Sequence, residues 1–263
     1  MKLPIYQIDA FTSKVFSGNP AAVCPLEQWI DDTLMQAIAE ENNLSETAFF
    51  VPAEGGYHIR WFTPVAEIGL CGHATLAAAF VIFTFFDLPG QGNEIVFFSR
   101  SGELKVTQQS QGMLAMDFPS LVPALCSAIP QDLLEGLGKE PREVLCTEDF
   151  MAVFPCESDI GELKPDMEKL RKLGLRGVII TAQGDEADFV SRFFAPRFGI
   201  DEDAVTGSAH CSLIPFWARR LNKKSLYARQ LSRRGGELYC MDRGDRVIIS
   251  GRAVKYMEGT ITI

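Results

Sequence analysis

Cys71 and His73 stand one residue apart at the head of an apolar run, GLCGHATLAAAFVIF, in a chain with only three histidines. A thiol and an imidazole so placed admit three kinds of chemistry. The imidazole can act as base to a nucleophilic thiolate whose pKa a helix start lowers, although side chains two apart on a helix do not face each other. The pair can bind a metal together with His210 and Cys211, but C-x-H and H-C are not the spacings of structural zinc. Cys71 can also be one of two thiols working on opposite faces of an α-carbon, as in a cofactor-independent racemase. Its partner would stand just before Gly207, where the residue is Thr206. Against all three, lone cysteines are commonly buried for packing alone.

Carboxylates offer a fourth chemistry. Glu46 opens the segment ETAFFV within LSETAFF. It is either a solvated strand start or a carboxylate at the mouth of an apolar cleft, suited to moving a proton. Asp203, in GIDEDAVTGSAH, stands four residues before Gly207. It reads as a helix cap or loop residue, or as the group that holds an amine or hydroxyl of a substrate. SGNPAAV (Ser17 to Val23) has the composition of a turn.

Strands and a few helices must position these groups. PIYQIDAF, ETAFFV, YHIRWF, EIVFF, ELKVTQ, MLAMDF, GVIITA, DFVSRFF, RVIIS and GTITI alternate or run apolar between turn residues and read as strands. DDTLMQAIAEEN, with apolar residues at 34, 35, 38 and 39 behind two aspartates, predicts a helix. A second helix is predicted from Gly72 and a third from Gly207 through CSLIPFWARRL, with a kink or delayed start at Pro215. More strand than helix, at hairpin-like spacing, predicts an α+β fold with largely antiparallel sheets. No G-x-G-x-x-G follows the first strand, so the dinucleotide fold is excluded.

The chain also echoes itself. Arg60-Trp61-Phe62-Thr63-Pro64 returns as Arg192-Phe193-Phe194-Ala195-Pro196, and Gly72-His73-Ala74-Thr75 as Gly207-Ser208-Ala209-His210. Two blocks in one order at nearly one offset predict two pseudo-symmetric halves. PSLVPALCSAIPQD marks the boundary, giving halves at 1–118 and 119–263, with the segment 254–263 able to complete the first. The two Gly-led helices are apolar on nearly every face and must be buried, which leaves their first N–H groups short of acceptors. If the halves face each other, these ends converge on one cleft suited to a carboxylate. Gly72 and Gly207 would then admit the ligand close to the backbone.

The bulk numbers narrow the class. A length of 263 residues suits two domains. A net charge of −9 with no Lys/Arg run argues against nucleic acid. The run from Leu76 to Phe86 is too short to span a bilayer, and the N-terminus lacks the features of a signal peptide. Seven cysteines without a CxxC suit free thiols in a reducing cytosol. A soluble cytoplasmic protein is expected.

DAFTSKVFSGNPAAV, ENNLSETAFF, RWFTPVAEIGLCGHAT and EDAVTGSAH, in this order, resemble the PhzF-like (phenazine-biosynthesis-protein-like) family over nearly the whole chain. That family is similar in fold to diaminopimelate epimerase and proline racemase. The resemblance implies two α/β halves, each a mostly antiparallel, barrel-like sheet around a central helix, with the active site in the cleft between them. It implies an isomerase that needs no cofactor or metal and moves a proton on a small carboxylated substrate, aromatic or dihydroaromatic amino acids among the candidates. By motif match Glu46 is the acid/base, His73 and Asp203 assist, and Gly72, Gly207 and Ser208 hold the carboxylate. A homodimer is the family expectation. The chain departs at Ala204, where the family commonly has Pro, which implies a looser loop. Thr206 breaks the cysteine pair of the epimerase relatives. The alternatives are a cysteine-based epimerase working through Cys71 and a noncatalytic member that binds a metabolite or a protein.

Overall fold

The computed structural model describes residues 1–86 and 92–263. The fold is α+β. In chain order its first elements are β1 (Lys2–Ala10), β2 (Asn19–Pro25), α1 (Asp32–Asn42), β3 (Glu46–Ala53), β4 (Gly56–Phe62), β5 (Glu67–Ile68), α2 (Gly72–Phe85), β6 (Glu94–Ser99), β7 (Gly102–Gln108) and β8 (Leu114–Pro119). Then come β9 (Ala124–Leu125), α3 (Gln131–Leu137), β10 (Glu143–Cys146), β11 (Phe150–Val153), α4 (Glu157–Glu162), α5 (Met167–Leu170), β12 (Val178–Gln183) and β13 (Phe189–Ala195). The chain closes with β14 (Ile200–Asp203), α6 (Gly207–Leu221), β15 (Ser225–Gln230), β16 (Gly236–Asp242), β17 (Arg246–Gly251) and β18 (Ala253–Thr262).

The chain divides into two compact units: Met1–Asp117 with Ser250–Ile263, and Phe118–Ile249. In the first unit the strands are neighbours in the order β18, β1, β2, β3, β4, β6, β7, β8, with β5 returning along β4. The β2–β3 and β4–β6 pairs are parallel and the rest antiparallel. In the second unit the order is β9, β10, β11, β12, β13, β15, β16, with β14 returning along β13. There β11–β12 and β13–β15 are the parallel pairs. From β1 to β7 and from β10 to β16 the units therefore repeat one plan, in which a strand, a short return strand and a Gly-led helix follow one another.

The helices take their places from their apolar patterns. α2 is buried at residues 73–79, 81 and 82 and packs on β1, β2, β3, β7 and β18, so the sheet wraps it. Leu76, Val81 and Ile82 are fully buried, each worth roughly 1.5–3 kcal/mol of transfer free energy. α1 has a single apolar stripe and covers the other face of the same sheet, where Met35, Ile38 and Ala39 meet Ala22, Cys24, Phe49 and Val51. Both faces of β3 are thus buried, which is why ETAFFV reads as a continuous apolar run. In the second unit α3, α4 and α5 play the part of α1 against β10 to β13.

Two local expectations are corrected. SGNPAAV is a turn only as far as Gly18 (φ +66°), and β2 begins at Asn19. The third helix neither starts late nor divides at Pro215; α6 runs from Gly207 to Leu221 as one element. Proline removes the N–H that would bond to the Cys211 carbonyl, and the Leu121 N–H takes that carbonyl at 2.9 Å instead. The backbone group is satisfied by a residue far away in sequence, so the helix tolerates the ring.

Candidate active site

Alternation along the strands decides which groups meet α2. Ala22 and Cys24 of β2, and Phe49 and Val51 of β3, belong to the α1 side. Asn19, Ala21 and Val23, and Glu46, Ala48 and Phe50, therefore point the other way. Asn19 and Glu46 are the first residues of their strands, which places them at the edge of the sheet where α2 starts. Both are buried, at 0% and 7% exposure.

His73, in the first turn of α2 and itself buried, meets both. Its Nε2 lies 3.0 Å from Glu46 Oε2. The two buried atoms face each other at ion-pair distance. On the other side of the ring, Nδ1 lies 3.2 Å from Asn19 Nδ2 and 3.5 Å from Cys71 Sγ. The amide can serve either state of the imidazole: its NH2 donates to Nδ1 of the neutral ring, and turned over its oxygen accepts from the protonated one.

The electrostatics favour charge on His73. Burial alone would lower its pKa, but the Glu46 carboxylate against Nε2 opposes that and holds the imidazole well above the ordinary histidine value. The Cys71 thiol is pushed up, first by burial and then by Glu46. It is held as a thiol, the opposite of what a nucleophile needs.

Cys71 and His73 do meet, contrary to the expectation from helical spacing. Cys71 is not on the helix. It is the residue before it, extended at φ −143°, ψ 110°, so its side chain turns toward the first-turn imidazole. Glu46, Cys71 and His73 bring three donor atoms within 4.8 Å of one another.

The remaining candidates lie in the second unit. Asp203 ends β14, and its Oδ2 accepts from the Thr206 hydroxyl at 2.6 Å. Thr206 is the residue before α6, yet its hydroxyl is spent on Asp203 and does not cap the helix. α2 likewise starts without a side-chain cap. Gly207 and Ser208 are the first two residues of α6. The turn that presents them is pinned by Gln230, which is 1% exposed: Oε1 accepts from Thr206 N at 2.8 Å and Nε2 donates to the Asp203 carbonyl at 2.9 Å. Ser232 Oγ donates to the Ala204 carbonyl at 2.7 Å, so the turn without proline is tied down at that residue too. His210, fully buried, contacts the Thr206 carbonyl through Nδ1 at 2.8 Å, and burial pushes its pKa down to about 4. It is a neutral structural histidine.

Two participants were missed in the sequence. Asn19 sits in a motif whose composition signals only a turn. Gln230 is one polar residue in an alternating strand, without a local signal.

Comparison with known proteins follows the geometry. A sequence profile described as "Phenazine biosynthesis-like protein" matches residues 8–259. An uncharacterized isomerase of Pseudomonas aeruginosa is 52% identical over 261 residues, covering 99% of each chain. The crystal structure of a phenazine biosynthesis protein PhzF family member from Enterococcus faecalis superposes with a TM-score of 0.96 at 45% identity, covering 100% of both chains. A hydroxyproline epimerase from Agrobacterium vitis shares the fold, with a TM-score of 0.64 at 10% identity over 99% of this chain and 92% of that one.

Proposed function

The chain belongs to the phenazine biosynthesis-like (PhzF-like) protein family and is an isomerase, and from that premise we propose that it transfers a proton on a small carboxylated substrate with Glu46 as acid/base. What supports the reading is the buried pair of Glu46 Oε2 and His73 Nε2, 3.0 Å apart at the start of α2. A carboxylate there accepts a substrate proton while the charged imidazole holds it in place. Gly72 gives the first α2 turn its open backbone. In the second unit, Gly207 and Ser208 at the uncapped start of α6 offer donors to a carboxylate, with Asp203 assisting.

The reaction needs no group beyond these side chains: a C–H proton passes to Glu46 and returns to another carbon. Glu46→Gln should fold with a melting temperature within a few degrees of the parent. In deuterium oxide, with a substrate found by thermal-shift screening of small aromatic and amino-acid carboxylates, it should lose solvent exchange by roughly 10²–10⁴-fold. Exchange retained in that variant overturns the assignment, and a ligand returned unchanged by the parent marks a binding protein. We further propose a homodimer, to be read by sedimentation equilibrium.

A further inference from the structure

The repeated strand plan allows the first unit's constellation to be traced into the second. Thr47 of β3 pairs with Phe62, and Val178 of β12 pairs with Phe194. Phe62 and Phe194 occupy the same place in RWFTP and RFFAP, so Glu46 corresponds to Gly177, next to Arg176. In α2 and α6, His73 corresponds to Ser208. In the second unit, Asp149, level with Ala21 of the first, and Arg176 stand just before the parallel strands β11 and β12, and Arg176 reaches Ser208 in the first turn of α6.

The second set is built as firmly as the first. Asp149 is 2% exposed and takes Arg176 in a two-pronged ion pair, Nε to Oδ1 at 2.9 Å and Nη2 to Oδ2. The guanidinium lies 5.5 Å from the centre of the Phe193 ring. A Cβ on residue 177 would fall 2.4 Å from Phe193 Cζ, so glycine there is what lets the ring lie close beneath Arg176. Held this way, Arg176 donates from Nη1 to Ser208 Oγ at 3.0 Å.

That bond has a directional consequence. With its oxygen accepting from Arg176, the Ser208 hydroxyl has its proton to give, and among the described residues nothing takes it. The backbone N–H groups at the α6 start are donors as well, since Thr206 does not cap them. We infer that Arg176 is a positioning residue for ligand selectivity, which commits Ser208 as a donor and so makes this end of α6 select a carboxylate over a carboxamide. This rests on the assignment of a substrate carboxylate to Gly207 and Ser208.

The test uses the whole protein and two probes, anthranilate and 2-aminobenzamide, by calorimetric titration. Arg176→Lys retains a cation for the buried Asp149, yet one ammonium cannot reproduce the fork that spans Asp149 and Ser208. The parent should bind anthranilate at least about tenfold more tightly than the amide. Ser208→Ala and Arg176→Lys should each bring that ratio down to about the same value, and the double variant should go no lower. A parent-like ratio in Arg176→Lys beside a collapsed one in Ser208→Ala overturns the inference and leaves the site assignment standing. A ratio lost in Arg176→Lys but kept in Ser208→Ala overturns it too, because Arg176 would then act on the ligand directly. A parent that does not separate the two probes, or binds neither, removes the carboxylate assignment and this inference together.

Discussion

A single imidazole holds the first unit's site together, because its two nitrogens face groups of opposite demand. Glu46 asks for a proton at Nε2, while Asn19 can satisfy Nδ1 whether or not it carries one. Replacing Asn19 by Asp leaves an acceptor only, which should keep His73 charged across the working pH range and slow turnover by about tenfold. Nitrogen shifts of the imidazole, read beside the pH–rate profile, check this; an unchanged His73 titration would remove Asn19 from the mechanism. The protein's three histidines make the measurement simple. At pH 5.5 His73 should be protonated and His210 neutral, the first raised well above its ordinary value and the second lowered to about 4. For His210 the folded state binds fewer protons than the unfolded one between about pH 6.5 and 4. Stability should therefore fall as pH drops through that window, by about 3 kcal/mol from this residue. Glu46 was a candidate in the sequence because four of the five residues after it are apolar, and the family resemblance gave it the acid/base role. Asn19 was not, since its role depends on a strand register that places it beside a histidine 54 positions away.

Helix starts are where this fold departs from stability for its own sake. Threonine is a good N-cap, and Thr206 precedes α6, but its hydroxyl goes to Asp203 and the first turn is left open. Gly207 is equally unforced by packing, for a Cβ there would meet nothing within 4 Å. Gly207→Ala should accordingly keep or raise stability, by up to about 1 kcal/mol, while weakening binding of the carboxylate proposed for this turn, into whose space the methyl would project. Denaturant melts and titrations of the same variant separate the two effects, and unimpaired binding would leave the glycine without a ligand-related purpose. The position of both Gly-led helices was legible from their apolar runs. The continuity of α6 through Pro215 was not, because it depends on Leu121 taking the orphaned Cys211 carbonyl, a contact no local rule contains.

At the scale of the molecule, two echoes in one order, RWFTP in RFFAP and GHAT in GSAH, predicted the duplication, the first block closing β4 or β13 and the second opening a buried helix. The strands β10, β11, β15 and β16 lie outside the echoed blocks and escaped the sequence reading; their places are set by partners in three dimensions. β18, by contrast, was legible in part, as the strand GTITI and as the segment 254–263 able to complete the first half, and its match to β1 runs from Lys2 with Thr262 to Ala10 with Ala253. Its membership of the first unit has a consequence for how the chain acquires its shape. The second unit is one uninterrupted segment, Phe118–Ile249, whereas the first waits for residues that leave the ribosome after all of the second. Closing β1 onto β18 brings Lys2 to Thr262 and Ile5 to Gly259, from opposite ends of the sequence, and long-range pairing of that kind is slow. Folding should therefore run against the order of synthesis, the later unit first. Pulsed hydrogen exchange during refolding should show amides of β11 to β13 protected before those of β1 and β2, and the reverse sequence of protection would mean that β18 is an ornament the first unit can fold without.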